Sequence, residues 1–306
     1  MALDLERTLE RVQDRQWALA DIDWSAPGAN LVSDDQRARL KPFMADLVWV
    51  EHIGGRAFAA LARKAEDPTL SQLYRYFHAE EERHANAELA LMRRWGMLDG
   101  DERPAPNVNL RFAMAFLDRR ADELPLMFLA SFIPLLEVAL DGALLKFLTD
   151  AVEDPICQAV FDKVNNDESR HLAVGFHVMD LVGATPVYRQ LGALAAAGAD
   201  PFQYLWLLGA FPLLSRMRGE LMKAGLDPQR LEAALERYGR MGANGAHTNS
   251  NTVFQVARRL GEMFVDSPTA FRLVVNTVMT AVDRIPEPLL PRLPTWTHSV
   301  TYEAVA

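Results

Sequence analysis

Apolar residues recur at intervals of three and four along most of the chain, and no stretch alternates convincingly between apolar and polar. That period belongs to amphipathic helices, and the missing alternation argues against half-buried strands. Residues 3–20 carry a sparse stripe of Leu5, Leu9, Val12 and Trp17 and read as a polar amphipathic helix. A loop over 21–32 holds Pro27, Gly28 and Asn30. Ser33 is an N-cap candidate, with Asp34 and Asp35 in the first turn of a helix reaching Lys64. Pro42 should kink or divide that helix. A second helix is expected from Pro68 to Trp95, closed by Gly96. A crossover over 99–109, with Pro104 and Pro106, precedes a shorter helix at 110–122. A third long helix spans 125–152, with Pro134 inside it, and a fourth runs from Pro155 to Val182.

After Gly183 the pattern weakens, and Gly192, Gly198 and the alanines between them read as a flexible connection or a weak helix. Helices follow at 201–223, 228–240, 250–265 and 268–284, before a proline-rich tail at 286–294. The expected class is all-α. Residues 1–185 would form a bundle with an N-terminal helix, and 186–306 a helical extension packing on it, shaping a pocket or making a homodimer contact.

Composition narrows the function. Half of the 306 residues are apolar, enough for a sizeable core. A net charge of −9 argues against a nucleic-acid partner. Cys157 is the single cysteine, so an intrachain disulfide is impossible, which fits a reducing cytoplasm. The N-terminus lacks a signal pattern, and the longest charge-free runs, 125–136 and 201–215, fall short of a membrane span.

The chemistry lies in two short strings, Glu80-Glu81-Glu82-Arg83-His84 and Asp167-Glu168-Ser169-Arg170-His171. Glu and His three residues apart share one helix face and can reach one metal ion. Glu51 stands 30 residues before Glu81, and Glu137 stands 31 before Glu168. Asp67-Pro68 and Asp154-Pro155 start both motif helices in the same register, 13 residues before Glu81 and Glu168 when counted from Pro68 and Pro155. The chain thus repeats a helix with Glu followed by a helix with Glu-x-x-His. Carboxylate oxygens and imidazole nitrogens suit iron or manganese.

Four carboxylates and two histidines from four helices form the inward set of a ferritin-like di-iron bundle. Over residues 34–185 the sequence resembles the ferritin-like di-iron-carboxylate superfamily. It is most similar to the oxygen-activating branch that includes the soluble acyl-carrier-protein desaturases and related di-iron oxygenases. The resemblance implies a ferritin-like four-helix bundle core with extra N-terminal and C-terminal helices. It implies metal ligands Glu51, Glu81, His84, Glu137, Glu168 and His171, with Glu81 and Glu168 bridging. It further implies that Asp167 holds His84 and Glu80 holds His171, with Arg83 and Arg170 neutralising those acids. The cofactor would be two iron ions, or manganese in place of one, with dioxygen as co-substrate and an external electron donor.

Some positions lack the specialised residues of that superfamily. Glu88 stands where a ribonucleotide reductase radical subunit has its tyrosine, and Phe132 where the R2-like ligand-binding oxidases have a cross-linking tyrosine. Val164 stands where the N-oxygenases add a histidine. His78 is a candidate extra ligand, His52 and His177 read as ordinary helix residues, and Asp141 could join a network near Glu137. Gly54 and Gly55, one turn after Glu51, would leave a void beside the metals or serve helix packing. With Phe58, Phe128, Phe132, Leu136, Phe176 and Met179 they suggest an apolar pocket. The expected function is oxidation of a hydrophobic organic substrate. The alternative is a ferroxidase- or peroxidase-type iron-handling protein.

Overall fold

The computed structural model describes residues 3–140, 146–197, 202–225, 227–266 and 268–298. The described residues form helices, turns and loops, with no strand among them. In chain order the helices are α1 (Leu5–Asp14), α2 (Asp34–Lys64), α3 (Pro68–Arg94), α4 (Val108–Arg120), α5 (Leu126–Leu140), α6 (Lys146–Ala151) and α7 (Pro155–Gly183). They continue as α8 (Val187–Ala197), α9 (Phe202–Ala210), α10 (Leu213–Ala224), α11 (Pro228–Ala243), α12 (Thr252–Asp266) and α13 (Thr269–Asp283).

Helices α2, α3, α5 and α7 make the bundle, with α2 against α3, α5 against α7, and contacts between the pairs. Their starts follow from local chemistry. Ser33 caps α2 by accepting from the Gln36 N–H, and Asp67 caps α3 by accepting from Leu70. Asp154 caps α7 through the Ile156 N–H and also accepts from Arg94 and the Trp95 indole. One buried aspartate therefore ties the start of α7 to the end of α3. Pro42 lies inside a single continuous α2, and Pro134 inside α5. A Cβ on Gly175 of α7 would stand 2.6 Å from the Pro134 ring, so this glycine admits the proline at the α5–α7 contact.

Some elements differ from the sequence pattern. Helix α1 ends at Asp14, so Gln16 and Trp17 leave helical register. The segment expected as one helix over 201–223 divides at Phe211-Pro212 into α9 and α10, where proline can offer no backbone N–H. Over residues 187–197, by contrast, the weak-helix alternative of the sequence pattern holds, and the stretch forms α8.

The C-terminal helices share a hydrophobic core with the bundle. Met217, Leu221, Tyr238, Phe254 and Ala257 belong to the same buried cluster as Leu40, Leu47, Leu89 and Val160. Asn251 is fully buried and donates to Ser131 Oγ on α5 and the Met179 carbonyl on α7. Its Oδ1 accepts from the N–H groups of Val253 and Phe254. A single amide thus starts α12 and anchors it to two bundle helices. No helix among the described residues is long and apolar enough to cross a membrane.

Candidate metal centre

One acid comes from each of α2 and α5, and a Glu-x-x-His pair from each of α3 and α7. The ligating atoms of Glu51, Glu81, His84 and Glu168 lie within 4.8 Å of one another, as do those of Glu81, Glu137, Glu168 and His171. Glu81 and Glu168 belong to both sets, and all six residues are buried. Nδ1 of His84 faces Glu168 Oε1 at 3.0 Å and Glu51 Oε2 at 3.5 Å. Nδ1 of His171 faces Glu168 Oε2 at 3.0 Å and Glu81 Oε1 at 3.2 Å.

The outer ring nitrogens are held from behind. Nε2 of His84 donates to Asp167 Oδ2 at 3.1 Å, and Nε2 of His171 donates to Glu80 Oε2 at 2.9 Å. Each imidazole is therefore oriented by the acid of the opposite motif helix, leaving Nδ1 turned inward. Arg170 bridges both acids, donating to Glu80 Oε1 at 3.0 Å and to Asp167 Oδ1. Arg83 reaches Glu80 only through Gln16: it donates to Gln16 Oε1, and Gln16 Nε2 donates to Glu80 Oε1, both at 2.7 Å. The Trp17 indole N–H donates to Asp167 Oδ2 at 2.7 Å.

Without metal ions, protons balance the buried charges. Burial pushes Glu81 and Glu137 well above the usual carboxylate range, and the nearby Glu168 charge adds to the shift. For Glu168 itself burial acts in the same direction, but the two imidazoles outweigh it and hold the carboxyl well below its usual range. Burial opposes protonation of His84 and His171, yet Asp167, Glu80 and the inner carboxylates raise both well above ordinary histidine. Both oxygens of Glu137 are buried without a hydrogen-bond partner. An acceptor with no donor, facing three other acids and an imidazole, fits a metal ion. The two clusters can bind two metal ions.

An apolar cavity of about 60 Å³ opens beside Glu51, Glu81, Glu137 and Glu168, walled by Val50, Ile53, Gly54, Ala57, Ile133 and Leu136. Of the residues that the sequence pattern suggested for a pocket, Gly54 and Leu136 line it. Gly55 instead faces α3, where a Cβ would meet His78 Nδ1 at 3.2 Å and Glu81 Cβ at 3.3 Å. Phe58 stands edge-on to His171 with ring centroids 5.1 Å apart, and Phe132 packs on Phe128. Phe176 packs on Tyr238, whose hydroxyl approaches the Met179 sulfur.

His78 turns Nδ1 to the Gly55 carbonyl at 2.8 Å, and His52 pairs with Glu82; neither belongs to the two sets. Asp141 lies outside the described residues. The sequence pattern missed Gln16 and Trp17, because a helix over 3–20 would send neighbouring side chains in different directions around its axis. Irregular backbone after Asp14 lets both reach the acids. The cavity wall was partly legible: Ile133 is one turn before Glu137, and Val50, Ile53 and Ala57 flank Glu51.

No protein-family model matches the chain, and no curated protein matches it in sequence. Among solved structures the chain is similar to a variant of an R2-like ligand-binding oxidase with an aerobically reconstituted Fe/Fe cofactor. The identity is 12%, the TM-score 0.40, and the match covers 86% of this chain and 93% of that one. Four long helices, two with Glu-x-x-His, enclose buried carboxylate–imidazole clusters that can bind two metal ions, the architecture of a ferritin-like helical bundle.

Proposed function

We propose that this chain is a di-iron oxidase or oxygenase that activates dioxygen to oxidise a small hydrophobic organic molecule. The observation that carries this reading is the apolar cavity against the carboxylate side of both donor sets. Glu51, Glu81, His84 and Glu168 would hold one ion, and Glu81, Glu137, Glu168 and His171 the other. Bound ferrous ions would supply electrons and Lewis acidity for dioxygen activation; the hard oxygen donors also admit manganese at one position.

The protein's own residues prepare that site. Asp167 and Glu80 each accept a hydrogen bond from an outer imidazole N–H, so a metal ion would meet the lone pair of the inner nitrogen. Val50, Ile53, Ala57, Ile133 and Leu136 give the space beside the carboxylates an apolar wall. A void of about 60 Å³ has room for dioxygen but little more, so an organic substrate must displace part of the wall. Val50, Ile53 and Leu136 are only partly buried and are the side chains best placed to move. An external electron donor would restore the ferrous pair after each turnover.

The small void is also what favours the second reading, an iron-handling protein that needs room only for dioxygen or peroxide. Stopped-flow absorbance of the reduced, iron-loaded protein mixed with dioxygen separates the two. The oxygenase reading expects a transient whose decay is accelerated by short apolar substrates. Slow oxidation with accumulating ferric mineral, insensitive to every substrate, would overturn it.

A further inference from the structure

One acid beside the metal centre belongs to neither donor set. Glu88 lies on α3 one turn after His84 and two turns after Glu81, on the same inward face. It is fully buried, and neither carboxylate oxygen has a hydrogen-bond partner. Its neighbour is the Glu51 carboxyl, within hydrogen-bonding reach. When both are ionised neither can donate, so without a cation the contact is held by a proton shared between the two acids.

The other buried acids behind the ligands are supplied with donors. Glu80 accepts from His171, Gln16 and Arg170, and Asp167 from His84, Trp17 and Arg170. Glu88 has no such arrangement, although a leucine would pack in its place without any desolvation cost. A buried acid that faces another is stabilised either by taking up a proton or by positive charge close by, and a metal ion can replace that proton. An ion held by Glu51, Glu81, His84 and Glu168 would supply positive charge on the Glu51 side.

We propose that Glu88 is a fifth carboxylate of the metal centre, acting on the Glu51-side ion and making that site the tighter of the two. The second set has no equivalent: two turns after Glu168, the corresponding residue of α7 is Gly175. The repeat is therefore symmetric in its six ligands and asymmetric in this acid. A surplus negative charge on one side orders the loading of the two positions and favours the harder cation there.

This inference rests on the two-ion reading, and one experiment tests both separately. Anaerobic Mn(II) titration, with free ion followed by its magnetic resonance signal, would be run on wild type, E88Q, E88L, E88D, H84A and H84A/E88Q. Wild type is expected to bind two ions per chain in unequal steps. E88Q, which keeps the shape and removes the negative charge, should weaken the tighter step by about 10–100-fold and leave the weaker one within about twofold. E88L should follow E88Q, while E88D, which keeps the charge, should retain the order of the steps. In the H84A background, where the Glu51-side set has lost its imidazole, E88Q should change the surviving step by no more than about twofold. Wild-type binding of one ion or none would defeat the two-ion reading. Two ions bound by wild type, with E88Q and E88L unchanged or weakened equally at both steps, would overturn the role of Glu88 alone.

Discussion

A Cβ atom on Gly54 would lie 2.3 Å from Oε2 of Glu81. The missing side chain is therefore the space into which a carboxylate shared by both donor sets fits. Loss of helix propensity, roughly 1 kcal/mol for a glycine in a helix interior, is offset by a ligand that can approach the α2 backbone.

Gly54→Ala should consequently displace Glu81 and weaken metal binding, by about 1–3 kcal/mol if the clash resembles core overpacking. Gly55→Ala is expected to be milder, since its Cβ would meet atoms at 3.2–3.3 Å that can yield. Elemental analysis and competitive metal titration of both variants check this. Equal affinities for Gly54→Ala and wild type would mean that Glu81 leaves the Gly54 side when ions bind.

Removing the donor behind an acid tests how each imidazole is held. Trp17→Phe takes away the 2.7 Å bond to Asp167, leaving a buried carboxylate short of one donor, at a cost of about 1–3 kcal/mol. Asp167→Asn should keep the fold and lower metal affinity by about 10–100-fold, because His84 loses its anionic partner. Thermal melts and metal titrations on the two variants separate stability from affinity. Wild-type affinity in Asp167→Asn would show that His84 orients itself.

The metal-free protein should become less stable as pH rises from the acid side of neutrality. Glu81 and Glu137 have folded-state values raised above the ordinary 4.5 by burial and by Glu168, so their stabilising contribution is complete below pH 4.5 and is lost on the way up. His84 and His171, raised above 6.5 against the effect of burial by their acidic partners, contribute fully below pH 6.5 and lose that contribution as they deprotonate. Ions replace those protons, so loading should release protons and tighten with pH. Melting temperatures with a chelator present, and again with metal in excess, would check it. A chelated protein that gains stability between about pH 6 and 9 would contradict the protonation pattern.

The sequence by itself determined the helical class, the starts of the motif helices and the alignment of the six donors along their helices. These are local properties: 3.6 residues per turn place Glu81 with His84 and Glu168 with His171, and Asp67-Pro68 and Asp154-Pro155 set where those helices begin. Tertiary structure decided what meets across helices. Gln16 and Trp17 look like the end of an amphipathic helix, yet they reach Glu80 and Asp167 because the backbone turns after Asp14. Gly54 reads equally as void or packing until α3 brings Glu81 against it. Glu88 is one acid among many in a charged helix, and only the approach of α2 sets it beside Glu51 in a buried, donorless place. Spacing along one helix is fixed by its geometry, whereas partners on different helices are chosen by how whole helices pack.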